Sequence, residues 1–188
     1  CVLYENLSHY NPQDVYVRAS RPLLKNCIIR RLLDKYSLAV LDHSCLLWEA
    51  VPAGNISGDP QFVDPDSGDF RLRPGSPCID TGTAEGAPDR DILNFPRPQG
   101  AGYDMGAYEM REEDHVSLVV EVLPEGLGLV TPAPGTYAHM RGETVTVRVD
   151  RGLTRVFSHW EGDVSGTDPE ITLTLTEEIG RASCRERV

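Results

Sequence analysis

The sequence predicts an all-β chain built in succession from short solenoid rungs, an irregular Gly- and Pro-rich segment and a small antiparallel domain. Three observations carry this. Apolar residues make up 40% of the 188 positions, enough for packed cores. The 17 Gly and 14 Pro call for many turns and therefore short elements. Where the apolar pattern is regular, it recurs at every second residue over strand-length runs, not at helical spacing.

Residues 1–58 hold strand-sized runs at Asp14-Val-Tyr-Val17, Leu23-Leu24, Cys27-Ile-Ile29, Leu38-Ala-Val-Leu41 and Cys45-Leu-Leu-Trp48. Polar breaks at Asn11-Pro12, Ser20-Arg-Pro22, Asp34-Lys35 and Asp42-His-Ser44 separate them. Paired runs (Ser20 to Cys27, then Leu41 to Leu47) recur at a spacing of about 20 residues, as expected for stacked rungs. Arg31 to Lys35 amounts to no more than one helical turn. Both parities around Cys27 and Ile28 are apolar, so the inward face stays open. Residues 59–110 are rich in Gly, Pro and Asp and suit the polar, irregular cap that a solenoid end requires. Phe62, Phe70, Leu72, Ile79 and Tyr108 are its expected anchors, with Asp80, Asp104, Glu109 and Arg97 as candidate ion pairs.

The charged tetrapeptide Arg111-Glu-Glu-Asp114 reads as a linker. Residues 115–177 then alternate cleanly. Val116, Leu118, Val120 and Val122 form one face, as do Val145, Val147 and Val149, and Ile171, Leu173 and Leu175; Thr lines the opposite face of the last two runs. This predicts antiparallel strands with one buried and one solvated side. The basic stretch from Glu178 to Val188 breaks that alternation. It resembles one reading frame of a short-read sequencing adaptor, which implies that the natural chain continues differently after Glu177.

The formal net charge of −11 disfavours nucleic acid and anionic membrane surfaces as partners. No apolar run approaches the ~20 residues that span a bilayer. The chain begins at Cys1 without Met and without a signal-like leader, and so reads as the interior of a longer protein. Cys1, Cys27, Cys45, Cys78 and Cys184 form no CxxC pair or zinc spacing and read as buried thiols. A Cys27–Cys45 bridge between stacked turns stays open.

From Gly54 the text resembles the C-terminal closing segment of bacterial right-handed parallel β-helix proteins of the choice-of-anchor group. The matching stretches are Gly54-Asn-Ile-Ser-Gly-Asp-Pro-Gln-Phe-Val-Asp-Pro65, Gly68-Asp-Phe-Arg-Leu-Arg-Pro-Gly-Ser-Pro-Cys-Ile-Asp-Thr-Gly82, Phe95-Pro-Arg-Pro98 and Gly102-Tyr-Asp-Met-Gly-Ala-Tyr-Glu109. The usual pattern is broken at Asp91-Ile-Leu-Asn94, where an Asp-x-Asp/Asn-Gly turn is commoner. Residues 115–177 resemble the bacterial repeat domain related to internalin B-repeats, through Gly126-Leu-Gly-Leu-Val-Thr-Pro132, Gly135-Thr-Tyr137, Gly142-Glu-Thr-Val-Thr-Val147, Phe157-Ser-His-Trp-Glu-Gly-Asp163 and Ile171-Thr-Leu-Thr-Leu175. The resemblances imply a β-helix end over residues 1–58, its cap over 59–110, and a truncated extracellular repeat whose last strand is missing.

Candidate sites are few, and each has a plainer reading. Asp64, Asp66 and Asp69 faintly suggest a calcium loop, but no bidentate carboxylate follows at the required offset, and turn chemistry is favoured. Arg71 and Arg73 could face an acidic polysaccharide, although a solvated strand face is the simpler assignment. His9, His43, His115, His139 and His159 are isolated. Trp48, Tyr103 and Trp160 could stack on sugars, but Trp160 reads as core. Asn6-Leu-Ser8 and Asn55-Ile-Ser57 match a glycosylation sequon, which means little in a bacterial chain. No catalytic, cofactor-binding or metal residue is assigned. The expected function is a non-catalytic structural or adhesive piece of a secreted or cell-surface bacterial protein, monomeric apart from edge-strand association, with a polysaccharide or cell-surface ligand as its partner. The alternative is the non-catalytic end of a β-helix polysaccharide lyase or glycoside hydrolase, a fold-level analogy.

Overall fold

The computed structural model describes residues 2–3, 15–17, 23–30, 32–34, 39–47, 51–123, 129–150, 156–176 and 180–187. The chain divides into two units, residues 1–111 and 112–188. Both are β structures, with no α-helix among the described residues.

The first unit contains β1 (Val2–Leu3), β2 (Val15–Val17), β3 (Leu23–Lys25), β4 (Ile28–Ile29), β5 (Leu32–Asp34), β6 (Val40–Asp42), β7 (Cys45–Leu46), β8 (Ile56–Ser57), β9 (Phe62–Asp64) and β10 (Asp69–Leu72). The first eight form three parallel ladders, β1-β4-β7-β8, β2-β5 and β3-β6. From β2 to β7 the chain visits them in one cyclic order, so each pass stacks on the one before. Register partners such as Val15 and Leu32, Leu23 and Val40, and Ile28 and Cys45 share the separation of 17 residues seen between Cys27 and Ser44. The repeat is therefore shorter than the spacing of about 20 read from the sequence.

Turn chemistry repeats with the ladder. Two residues before Ile28, Cys45 and Ile56 the backbone is left-handed, at Asn26 (φ 49°), His43 (φ 45°) and Gly54 (φ 82°). Strands of two or three residues make few ladder bonds, and side chains supply the rest. Buried Ser44 donates its hydroxyl to the Leu24 and Asp42 carbonyls and accepts the Cys27 N–H. Asn55 accepts the Ser44 N–H and donates to the Leu41 carbonyl. The Asn55 side chain of the second sequon is thus committed to joining rungs.

The β4–β7 ladder is buried on both faces, which explains why parity could not settle the inward direction. Cys27, Ile29 and Leu46 pack with Leu24, Leu41 and Val51 on one side. Ile28 and Cys45 pack on the other with Phe62, Leu72, Cys78 and Met105. Cys27 and Cys45 therefore belong to opposite faces, and the bridge left open by the sequence does not fit. Phe70 and Ile79 join the second cluster as expected, with Phe62 and Phe70 edge to face at 5.2 Å; Tyr108 is not part of it. The segment expected to close the stack thus covers a flank of its ladder. β9 and β10 form a hairpin around a 3-10 turn at Pro65–Ser67, ended by left-handed Gly68 (φ 81°). Residues 73–110 contain no strand beyond an isolated bridge between Arg90 and Pro96.

The second unit contains β11 (His115–Leu123), β12 (Leu129–Thr131), β13 (Gly135–Met140), β14 (Thr144–Asp150), β15 (Val156–Gly162), β16 (Glu170–Thr174) and β17 (Arg181–Arg187). Two sheets, ordered β13-β11-β17-β15 and β12-β14-β16, enclose one core. Leu118, Val120, Val122, Val147, Leu173 and Leu175 are buried in it as the alternation predicts, around Trp160. On the opposite face Thr146 and Thr172 lie hydroxyl to hydroxyl at 3.2 Å.

The boundary between the units falls inside the expected linker, after Arg111, which lies over the Phe95 ring; Glu112–Asp114 form a 3-10 turn opening the second unit. One expectation differs here. Residues 181–187, which carried no predicted element, form a central strand, parallel to β11 and antiparallel to β15. Buried Ala182 and Cys184 join the core, while Arg181 and Arg185 pair with Glu121 and Glu161 outside it. The alternation is present, but its inward residues are small.

Candidate functional site

The densest polar cluster lies in the strandless segment 76–110, where backbone N–H groups have few strand partners and side chains must satisfy them. Three buried acids do so. Asp91 accepts the Leu93 and Phe95 N–H groups at 2.9 Å on one oxygen and the Glu109 N–H at 3.3 Å on the other. Asp104 accepts the Asp80 N–H at 2.8 Å and the Met110 N–H at 2.6 Å. Glu109 accepts the Asp104 N–H at 2.9 Å and the Gln99 N–H at 3.3 Å. Every carboxylate oxygen of the three is engaged.

Arg97 enters the cluster as the sequence anticipates. Its side chain is 3% exposed, and its Nη1 lies 3.4 Å from Glu109, itself 1% exposed. The guanidinium also donates to the Asp104 and Gly106 carbonyls, while its Nε is buried without a partner. Of the other candidate ion-pair residues, Asp104 meets backbone N–H groups and the Arg97 guanidinium reaches only its carbonyl. Asp80 is exposed, left-handed (φ 57°), and accepts the Gly102 N–H.

The electrostatics follow from burial. Removal from water pushes Asp104 up to about 6, against the pull of its two N–H donors. Glu109 is also raised by burial, opposed by the Asp104 N–H and by Arg97. These acids hold backbone in place; their oxygens are turned to N–H groups of the same segment.

Sequence reasoning missed Asp91. Its signal was the departure at Asp91–Asn94: Asn94 adopts φ 70°, the left-handed conformation a Gly would supply, and Asp91 caps the resulting turn. Also missed was Asn26, which pairs with Thr83 in both directions and whose carbonyl accepts the Gly106 N–H. It ties the parallel ladder to the covering segment, aided by Lys25 between Asp42 and Glu85.

The remaining candidates do not converge. Asp64 caps its own turn through the Ser67 N–H, and Asp69 is held by Arg71, which draws its carboxyl below the usual range. No group of three metal-binding side chains occurs among the described residues. Arg73 donates to the Val63 carbonyl and borders a cavity of about 360 Å³ with Asp59, Gln61 and Phe62. A second cavity of about 400 Å³ lies between Lys25, Pro88, Arg90, Asp91 and Ile92. His43, His139 and His159 each sit beside a carboxylate at or near the surface. Trp160 is core, its Nε1 donating to the Asp168 carbonyl at 2.8 Å. Trp48, Asn6 and His9 lie outside the described residues. The chain matches no protein-family model, no curated protein and no solved structure.

Proposed function

We propose that this chain is a structural or adhesive piece of a secreted or cell-surface bacterial protein, in which the end of a right-handed parallel β-helix is joined to a stalk-forming β repeat. The saturation of Asp91, Asp104 and Glu109 by backbone N–H groups carries this reading, because acids committed to holding a covering segment are not free to transfer protons to a substrate. Parallel ladders visited in cyclic order support the solenoid part. The partner is a polysaccharide or another cell-surface ligand. In the same reading, residues 178–188 are translated adaptor sequence standing where the natural final strand belongs.

Recovery of the full-length gene from the same DNA source tests this. It should encode an export signal, further rungs of similar length upstream and a different strand in place of residues 181–187. A gene without an export signal overturns the proposal, and Asp, Arg and Lys clustered on successive upstream rungs would replace it with the enzyme reading.

A further inference from the structure

Two of the buried thiols lie in one cluster and come from different parts of the first unit. Cys45 is on β7, in register between Ile28 and Ile56, with its side chain on the face that meets the covering segment. Cys78 comes from that segment, after a turn in which the Ser76 hydroxyl accepts the Cys78 N–H and donates to the Pro60 carbonyl. The Met105 N–H donates to the Cys78 carbonyl and fixes it from the other side. Both cysteines are 0% exposed, and both pack with Ile28, Phe62, Leu72 and Met105. The Cys45 Sγ donates to the Gly58 carbonyl at 3.7 Å, and each of the two thiols perturbs the titration of the other.

We propose that Cys45 and Cys78 are a cross-linking site, oxidised to a disulfide by a low-molecular-weight disulfide while the chain folds, which staples the covering segment to the parallel ladder. One cysteine thiolate attacks a sulfur of the small disulfide and expels one small thiol, leaving a mixed disulfide. The second cysteine thiolate then attacks the protein sulfur of that mixed disulfide and expels the other small thiol. One small disulfide is reduced to two thiols, the two cysteine protons leave with them, and one protein disulfide forms.

Burial fixes when this happens. In the folded, reduced chain the Cys78 thiol is held protonated, well above the ordinary thiol range, by the neighbouring Cys45 thiol and by desolvation. Reagents in solution reach neither sulfur, so exchange belongs to the stage before the cover closes. Once made, the bond is shielded from reductant by the same packing. It would hold a segment whose own backbone forms almost no ladder.

The full chain is unfolded with reductant and refolded in a glutathione–glutathione disulfide buffer. Free thiols are then blocked with N-ethylmaleimide under denaturing conditions, and cysteine pairing is mapped by mass spectrometry of unreduced peptides. The expected product joins the Cys45 and Cys78 peptides, leaves Cys27 blocked by the maleimide, and melts on the order of 10 °C above the reduced protein. Cys27→Ser should retain the link and the shift; Cys45→Ser and Cys78→Ser should each abolish both. Folded wild-type protein with both thiols alkylated, or with either cysteine joined mainly to another, overturns the proposal whether or not the serine variants fold.

Discussion

Replacing Arg97 by alanine should be among the most damaging single changes in the first unit. The substitution removes the cation 3.4 Å from Glu109, in a pair whose side chains are 3% and 1% exposed. It also removes the donors to the Asp104 and Gly106 carbonyls. Breaking a buried pair by deleting one partner costs about 3–5 kcal/mol, because the other charge is left behind. Glu109 keeps its two backbone N–H donors, and the orphaned Arg97 Nε disappears with the side chain, so the low end, about 3 kcal/mol, applies here. For a unit of this size that is a fall in melting temperature of roughly 10–20 °C at pH 7. Burial already raises Glu109, and without Arg97 it rises further. Protonation in mild acid should therefore narrow the gap between variant and parent. Thermal and urea unfolding followed by circular dichroism at pH 7 and pH 5 measures both effects. An Arg97→Ala protein that melts with its parent at pH 7 would refute the reasoning.

Three further outcomes are expected. Asp104 is raised to about 6 from an ordinary 3.8. The folded state thus binds more protons than the unfolded one between these values; the contribution is fully present below about pH 4 and lost as pH rises through about 6, on the order of 3 kcal/mol in all. Asp104→Asn should flatten urea midpoints across that window, and an unchanged slope would count against the assignment. Gly82→Ala should lower stability by about 2 kcal/mol, since the added Cβ would meet the Tyr103 carbonyl at 2.9 Å and the Asn26 Oδ1 at 3.0 Å; an unshifted urea midpoint would show that the segment gives way freely. A chain ending at Glu177 loses β17 from between β11 and β15 and retains the open side of β16. It should lose monomer relative to the full chain in sedimentation velocity, and equal monomer fractions would refute the edge argument.

The sequence was most legible where a strand has one buried face. Leu118, Val120, Val122, Val147 and Leu173 fall inward as their alternation requires. It was ambiguous at Cys27–Ile29, because the core lies on one side and the covering segment on the other, so both parities are apolar. β17 escaped because its inward residues, Ala182 and Cys184, are small and the flanking arginines dominate the composition. The polar cluster was legible only in part. Arg97 with Glu109 is a short-range pairing that charge suggests, whereas the Asp104 to Asp80 contact spans 24 residues and the Asn26 to Thr83 contact spans 57. Such contacts depend on the path of the covering segment, which periodicity does not encode.

That path also explains why the unit uses so many buried polar side chains. A strand of two residues, as at Ile28–Ile29 or Cys45–Leu46, offers too few ladder bonds to hold its position, and water competes for them wherever a face is open. Covering the second face removes the water, but a covering segment without strands has N–H groups of its own to satisfy. Asp91, Asp104 and Glu109 meet that need, and Arg97 keeps their charges from accumulating unopposed. Three acids and one arginine leave an excess of negative charge, which adds a little to the burial that chiefly raises Asp104 and Glu109. The ladder and its cover are thus each incomplete alone, and mild acid should tighten the association by neutralising the acid that burial holds least comfortably.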